Sequence, residues 1–293
     1  LTIITALILF HISKKETNHL SSSFLIAITT IIFFVSIKSN ANILGLWFFV
    51  PLTLAIPFIY LYIHLFTEGI KQQNKKLILY SLIPMIILIP IHAVSLLFAI
   101  PILAIYLLLN ISYLKKEYKF FLTFLIIPIL GILLYSKIMY LPLIPAIQDM
   151  LTRLQFHKGW NVLEASNSPF ELYSPIGYIL AGMGAIYIAS NRNNLKKYLI
   201  HIIWPIAAIA YILIFRQTGI SYLSPYQRNL YYLALSLPFL SALGLYYLIT
   251  KIKKLKIKNQ TKQLITVLTI IIILFLTFQS YYQLPEKMQV YEN

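Results

Sequence analysis

Apolar runs close to the length of a bilayer crossing recur from one end of this chain to the other, separated by short polar segments. About twenty apolar residues in a helix suffice to cross a hydrocarbon core of roughly 30 Å. A chain built of such runs folds as a polytopic helical membrane protein. Composition agrees: 59% of the 293 residues are apolar, 11% are charged, and the mean hydropathy is +0.79. The surface of a soluble domain needs roughly twice that share of charge. The expected class is all-α, a single transmembrane domain over residues 1–293. Its segments fall at 1–12, 22–37, 43–66, 77–89, 92–111, 120–140, 174–190, 199–215, 230–250 and 264–281, about ten in all. The first is short enough to read as the remnant of a longer helix, in a fragment whose front is missing.

Proline sets one boundary. Residues 77–111 carry Pro84, Pro90 and Pro101, and the reading divides them into two short helices at Ile89-Pro90-Ile91-His92, where proline removes a backbone donor. Alternating sides then gathers 17 of the 24 Lys and Arg residues into loops on one face, at 14–15, 71–76, 115–119, 192–197 and 251–262. The positive-inside rule makes that face cytoplasmic in a plasma membrane. Joining 77–111 into one span would put the lysine clusters on opposite sides. The net charge of +16 is therefore read as topology and contact with anionic lipid, with no nucleic-acid partner expected. Zero cysteines exclude disulfides, thiolate metal sites and cysteine nucleophiles. No phosphate-cradling loop, nucleophile elbow or metal motif is present, so no cofactor or metal is assigned.

The longest connection, 141–173, falls outside. Residues 147–156 are amphipathic enough to lie at the interface, with Trp160 as a headgroup-level anchor. Asp149, Glu164 and Glu171 are its acids; standing singly, they read first as solvated charges. Two arginines remain on this outer side in one short segment, Arg216 and Arg228. A guanidinium matches phosphate oxygens with a planar fork of donors and stays charged. Two of them against the usual charge bias point to an anionic ligand such as a lipid phosphate. Tyr226 lies beside Arg228, and Tyr232 shares its helical face four residues on. Against this stands the plain alternative of snorkelling arginines in an aromatic belt. His92, Trp160 and Glu164 are further candidates for cavity or loop contacts. Gly177, Ala181, Gly184 and Ala185 share one helical face suited to close packing; Ala234, Pro238, Ser241 and Ala242 offer a matching surface in the helix after residue 230.

The 46–65 run, the Ile91–Ser95 junction, the Gly159-Trp160-Asn161 loop and the 225–247 segment (PYQRNLYYLALSLPFLSALGLYY) together resemble the GT-C superfamily of membrane glycosyltransferases. That resemblance implies transfer of a sugar from a polyprenyl-phosphate donor to an acceptor on the outer face. It also implies that Arg228 takes the place of the family's phosphate-binding arginine. The family's catalytic acids sit mainly in a first outer loop that would lie upstream of Leu1, so none is carried over. A transporter or flippase for an anionic lipid, or an O-antigen polymerase or ligase, stands as the alternative.

Overall fold

The computed structural model describes residues 2–17, 51–157, 175–254, 259–261, 263–269 and 271. Its helices are α1 (Thr2–Thr17), α2 (Pro51–Lys71), α3 (Lys75–Tyr80), α4 (Leu82–Leu109), α5 (Ile111–Lys116), α6 (Tyr118–Ile138), α7 (Leu143–Arg153), α8 (Pro175–Ala189), α9 (Arg192–Tyr198), α10 (Ile200–Thr218) and α11 (Tyr226–Lys253). Two short strands, β1 (Gln155–His157) and β2 (Ile220–Tyr222), pair antiparallel. Among the described residues, Lys75–Leu109, Ile200–Thr218 and Arg228–Ile252 are long and apolar enough to cross a membrane. Residues 129–138 and 143–153 form one apolar helix pair bent by 98°, which makes a fourth span if the pair counts as one. The expected segment at 22–37 and most of that at 264–281 lie outside the described residues, as do Trp160 and Glu164.

By length alone Lys75–Leu109 counts as one 35-residue span. Straight, it would hold its ends about 52 Å apart. Yet Lys75 Nζ lies 2.5 Å from Glu117 Oε2, and Lys116 Nζ donates to Gln73 Oε1 at 3.0 Å. Chain beyond Leu109 is too short to bridge such a gap, so α4 folds back on itself. The break is at His92, whose φ −161° and ψ 78° are non-helical, two residues after Pro90. Each half is about 25 Å long. The lysines around 71–76 and 115–119 therefore meet at one end.

The centre of the fold is α11, buried continuously from Asn229 to Leu245. Helix α10 runs antiparallel to it: Phe215 stacks on Tyr226, and His201 stacks on Phe239. Helix α8 runs parallel to it. Ser241 Oγ donates to the Gly177 carbonyl at 2.9 Å, Gly184 faces Leu240 and Gly244, and Tyr187 packs on Tyr246 and Tyr247. Of the expected small-residue face, Gly177 and Gly184 make this contact, while Ala181 and Ala185 line a cleft that α8 and α11 share with α10. Pro238 removes one ladder donor inside α11. In the turns before it, neighbours reach in. Tyr60 of α2 donates its hydroxyl to the Leu235 carbonyl at 2.5 Å, and Trp204 of α10 donates its indole N–H to the Tyr232 carbonyl at 3.0 Å. Residues Arg228 and Lys251 stand about 35 Å apart along α11, more than a hydrocarbon core.

Candidate functional site

The site is assembled where α10 turns back into α11. Gly219 stops α10 in the left-handed region at φ 72°, its N–H donating to Phe215 O at 2.7 Å. Glycine adopts that conformation without the Cβ penalty. Strand β2 follows and is clasped by β1: Gln155 is paired with Tyr222, Phe156 with Ser221 and His157 with Ile220. The end of the 141–157 segment is thus fastened to the arginine-bearing loop. The all-α expectation did not include this ladder. Leu223 then takes a positive φ of 67°, at a cost of about 1–2 kcal/mol for a residue with a side chain. It is held there by its own N–H, which donates to Leu154 O at 2.8 Å.

Beneath the loop lies a buried polar knot. Ser221 Oγ donates to the Ser224 carbonyl at 2.6 Å, the Ser224 hydroxyl donates to Asn229 Oδ1, and Asn229 Nδ2 donates to Ser221 Oγ at 2.8 Å. All three residues are essentially inaccessible. Buried polar groups are costly unless paired, and here each finds its partner within the same turn. The knot fixes the direction in which residues 226–229 leave the loop. Sequence reading missed it, although Ser221, Ser224 and Asn229 stood in the very segment it singled out.

That first turn of α11 presents two clusters. On one side Arg216 Nε donates to the Tyr226 hydroxyl at 3.0 Å, with the Tyr226 ring stacked on Phe215. On the other side Arg228, partly exposed, lies within electrostatic reach of His92, Tyr231 and Tyr232. Tyr226 and Arg228 are separated by about 200° around the helix axis. The two arginines are thus anchored to the same turn through different faces of it. Tyr232, on the Arg228 face as expected, stacks on Phe98 with ring centroids 4.1 Å apart. Its hydroxyl shares a 2.8 Å hydrogen bond with Ser95 Oγ, which shares a 2.7 Å bond with His92 Nδ1.

A serine hydroxyl has one proton, so it donates to only one of these two neighbours. The chain His92–Ser95–Tyr232 therefore runs either toward the imidazole or away from it, and the choice is coupled to which ring nitrogen of His92 carries a proton. It is a hydrogen-bonded chain whose last member, Tyr232, lies one helical turn from Arg228. The helix break that exposes His92 and the i,i+3 spacing that brings Ser95 under it are both local features. The link to Tyr232 spans 137 residues and has no local signal.

Asp149 accepts from the Tyr135 hydroxyl and from Arg153 Nε at 2.9 Å. No protein-family model, curated protein or solved structure matches the chain.

Proposed function

We propose that the protein is an integral membrane glycosyltransferase. It moves a sugar from a polyprenyl-phosphate carrier to an acceptor, at the end of α11 away from its C-terminal lysines. The observation that carries this reading is Arg228 one helical turn before Tyr232, the end of the hydrogen-bonded His92–Ser95–Tyr232 chain, on the first turn of the most buried helix. Attack on the sugar leaves negative charge growing on the carrier phosphate. A preorganised guanidinium in a water-poor site stabilises such charge best. His92 can take the acceptor's hydroxyl proton on its Nε2, with its Nδ1–H donating to Ser95 Oγ and the Ser95 hydroxyl donating to Tyr232, so that the proton stays on the imidazole. The apolar surface around the site suits a donor that arrives within the bilayer.

The break in α4 also suits a transporter, since interrupted helices expose backbone to a ligand. A transfer assay decides between the two. With a polyprenyl-phosphate sugar and membranes containing the protein, Arg228→Ala is expected to lower kcat by about 10²–10³-fold, the loss typical of removing one charge-stabilising donor. Unchanged transfer by Arg228→Ala would end the assignment, and flux of an anionic lipid without transfer would favour the transporter.

A further inference from the structure

A cleft of about 400 Å³ opens where α2, α4 and α6 come together, at the end of α4 away from His92. Ile100, Leu103, Ala104 and Leu107 line it, at the spacing that sets them on one face of α4. Leu107 stands about 10 Å nearer the lysine-rich end than Ile100. Phe66 of α2 and Tyr118 of α6 mark the mouth, with Tyr62 and Leu122 one turn deeper on the same helices. Among the described residues, the hydroxyls of Tyr62 and Tyr118 are the polar side-chain groups of this lining. The mouth is strongly positive. Six lysines, at 71, 75, 76, 115, 116 and 119, meet there against Glu68 and Glu117. Lys75 is fixed over the start of α6, 2.5 Å from Glu117 Oε2 and 5.8 Å from the centroid of the Phe120 ring. Lys71 pairs with Glu68, and Lys116 donates to Gln73. Lys76, Lys115 and Lys119 are exposed and have no carboxylate partner among the described residues. Lys115 follows Leu114 and Lys119 follows Tyr118, and both of those neighbours line the cleft.

An apolar slot beneath a surplus of unpaired cations fits a membrane lipid with an anionic head. We infer that this cleft holds one acyl chain of an anionic phospholipid, drawn from the leaflet on the lysine-rich side, with its head phosphate against Lys115 and Lys119. The choice of occupant rests on charge. Each lysine near the head favours an anionic lipid, whereas an uncharged one gains nothing from them. Volume and apolar lining fall within the range of sites that take a small ligand. Beyond the cleft α6 faces outward, with Ile126, Ile129, Leu130, Leu133 and Leu134 exposed. A chain seated between α6 and the α2–α4 pair therefore ties that helix to the bundle. The site does not depend on the proposed transfer, whose groups lie at the other end of α4.

The test uses the full chain in phosphatidylcholine nanodiscs doped with a phosphatidylglycerol that carries a diazirine in one acyl chain. Crosslinked peptides are mapped by mass spectrometry. Adducts are expected on α2, the second half of α4 and the first turns of α6. Phosphatidylcholine bearing the same diazirine chain is expected to label them at least about tenfold less. Changing Lys115→Gln and Lys119→Gln together is expected to lower phosphatidylglycerol labelling by a similar factor. Ala104→Trp, which fills the cleft from an exposed position without touching a charge, is expected to abolish it. Unlabelled phosphatidylglycerol is expected to raise the melting temperature of the unchanged chain and not that of Ala104→Trp, and soluble glycerol phosphate not to compete with the probe. Equal labelling by phosphatidylcholine, indifference to either set of changes, an equal thermal gain in Ala104→Trp, competition by glycerol phosphate, or adducts confined to other helices would each overturn the assignment.

Discussion

Replacing Gly184 by alanine places a methyl group where there is no room for one. The new Cβ would sit 2.0 Å from the Leu240 carbonyl oxygen, 2.8 Å from its carbon and 3.1 Å from Gly244 N. These are backbone atoms of α11 and cannot rotate away. A carbon–oxygen contact relaxes only near 3.3–3.6 Å, so α8 and α11 must part by more than ~1 Å. Overpacking of this kind costs about 1–3 kcal/mol. Parting the helices also weakens the Ser241–Gly177 hydrogen bond, for about another 1 kcal/mol. Alanine's better helix propensity returns up to ~1 kcal/mol. The net is roughly 1–4 kcal/mol of destabilisation, at about 2–4 °C in melting temperature per kcal/mol for a chain of this size. Gly182→Ala is the internal control, since it keeps the propensity gain on the same helix and meets nothing. Thermal unfolding of the two variants in detergent, followed by circular dichroism, is expected to separate them by more than about 5 °C. Melting curves that coincide would refute the close parallel packing of α8 on α11.

Asn229→Ala removes the group that bridges Ser221 and Ser224, leaving buried hydroxyls unsatisfied; a loss of about 2–3 kcal/mol is expected by denaturant titration, with Ser221→Ala costing less. The fold-back of α4 predicts that cysteines placed at Lys75 and Glu117 are joined by a short bismaleimide, cleanly, because the chain has no cysteine of its own. Absence of that crosslink would mean a straight α4. A membrane-impermeant maleimide should label Thr218→Cys and Lys254→Cys from opposite sides of sealed vesicles; labelling of both from one side would rule out α11 as a span.

Helices were legible in the sequence because their signal is local. The runs expected at 120–140, 174–190 and 199–215 appear as Tyr118–Ile138, Pro175–Ala189 and Ile200–Thr218. The break near Pro90 was legible for the same reason, and so was the shared face of Arg228 and Tyr232. The single-residue interruption at Ser81, inside the run expected at 77–89, was not marked by glycine or proline and passed unseen, as did the short helices α5 and α9 in the expected loops. Tertiary pairing was the larger omission. The β1–β2 ladder joins segments 65 residues apart, counting from Phe156 to Ser221, and neither strand alternates long enough to announce itself. Arg216 and Arg228 looked like one clamp when only their spacing was visible. The Arg216–Tyr226 hydrogen bond, across the turn between α10 and α11, is a pairing that spacing alone did not announce.

Tyr232 shows how the site depends on packing away from it. Its ring is stacked on Phe98 and its hydroxyl is bonded to Ser95, both on the second half of α4. Its backbone carbonyl accepts from Trp204 on α10, and one turn further on the Leu235 carbonyl accepts from Tyr60 on α2. Three helices therefore fix one tyrosine, two of them through carbonyls in the turns before Pro238. Pro238 itself withholds the donor for the Ala234 carbonyl, which lies between the two carbonyls that these neighbours reach. The Trp204 and Tyr60 donors hold α11 at a definite height and rotation against α2 and α10. Because Arg228 lies one turn before Tyr232 on the same face, its position relative to His92 is set by the same contacts. Trp204→Phe, which removes the indole donor to the Tyr232 carbonyl, is for that reason expected to lower kcat in the transfer assay while leaving the helix content by circular dichroism unchanged.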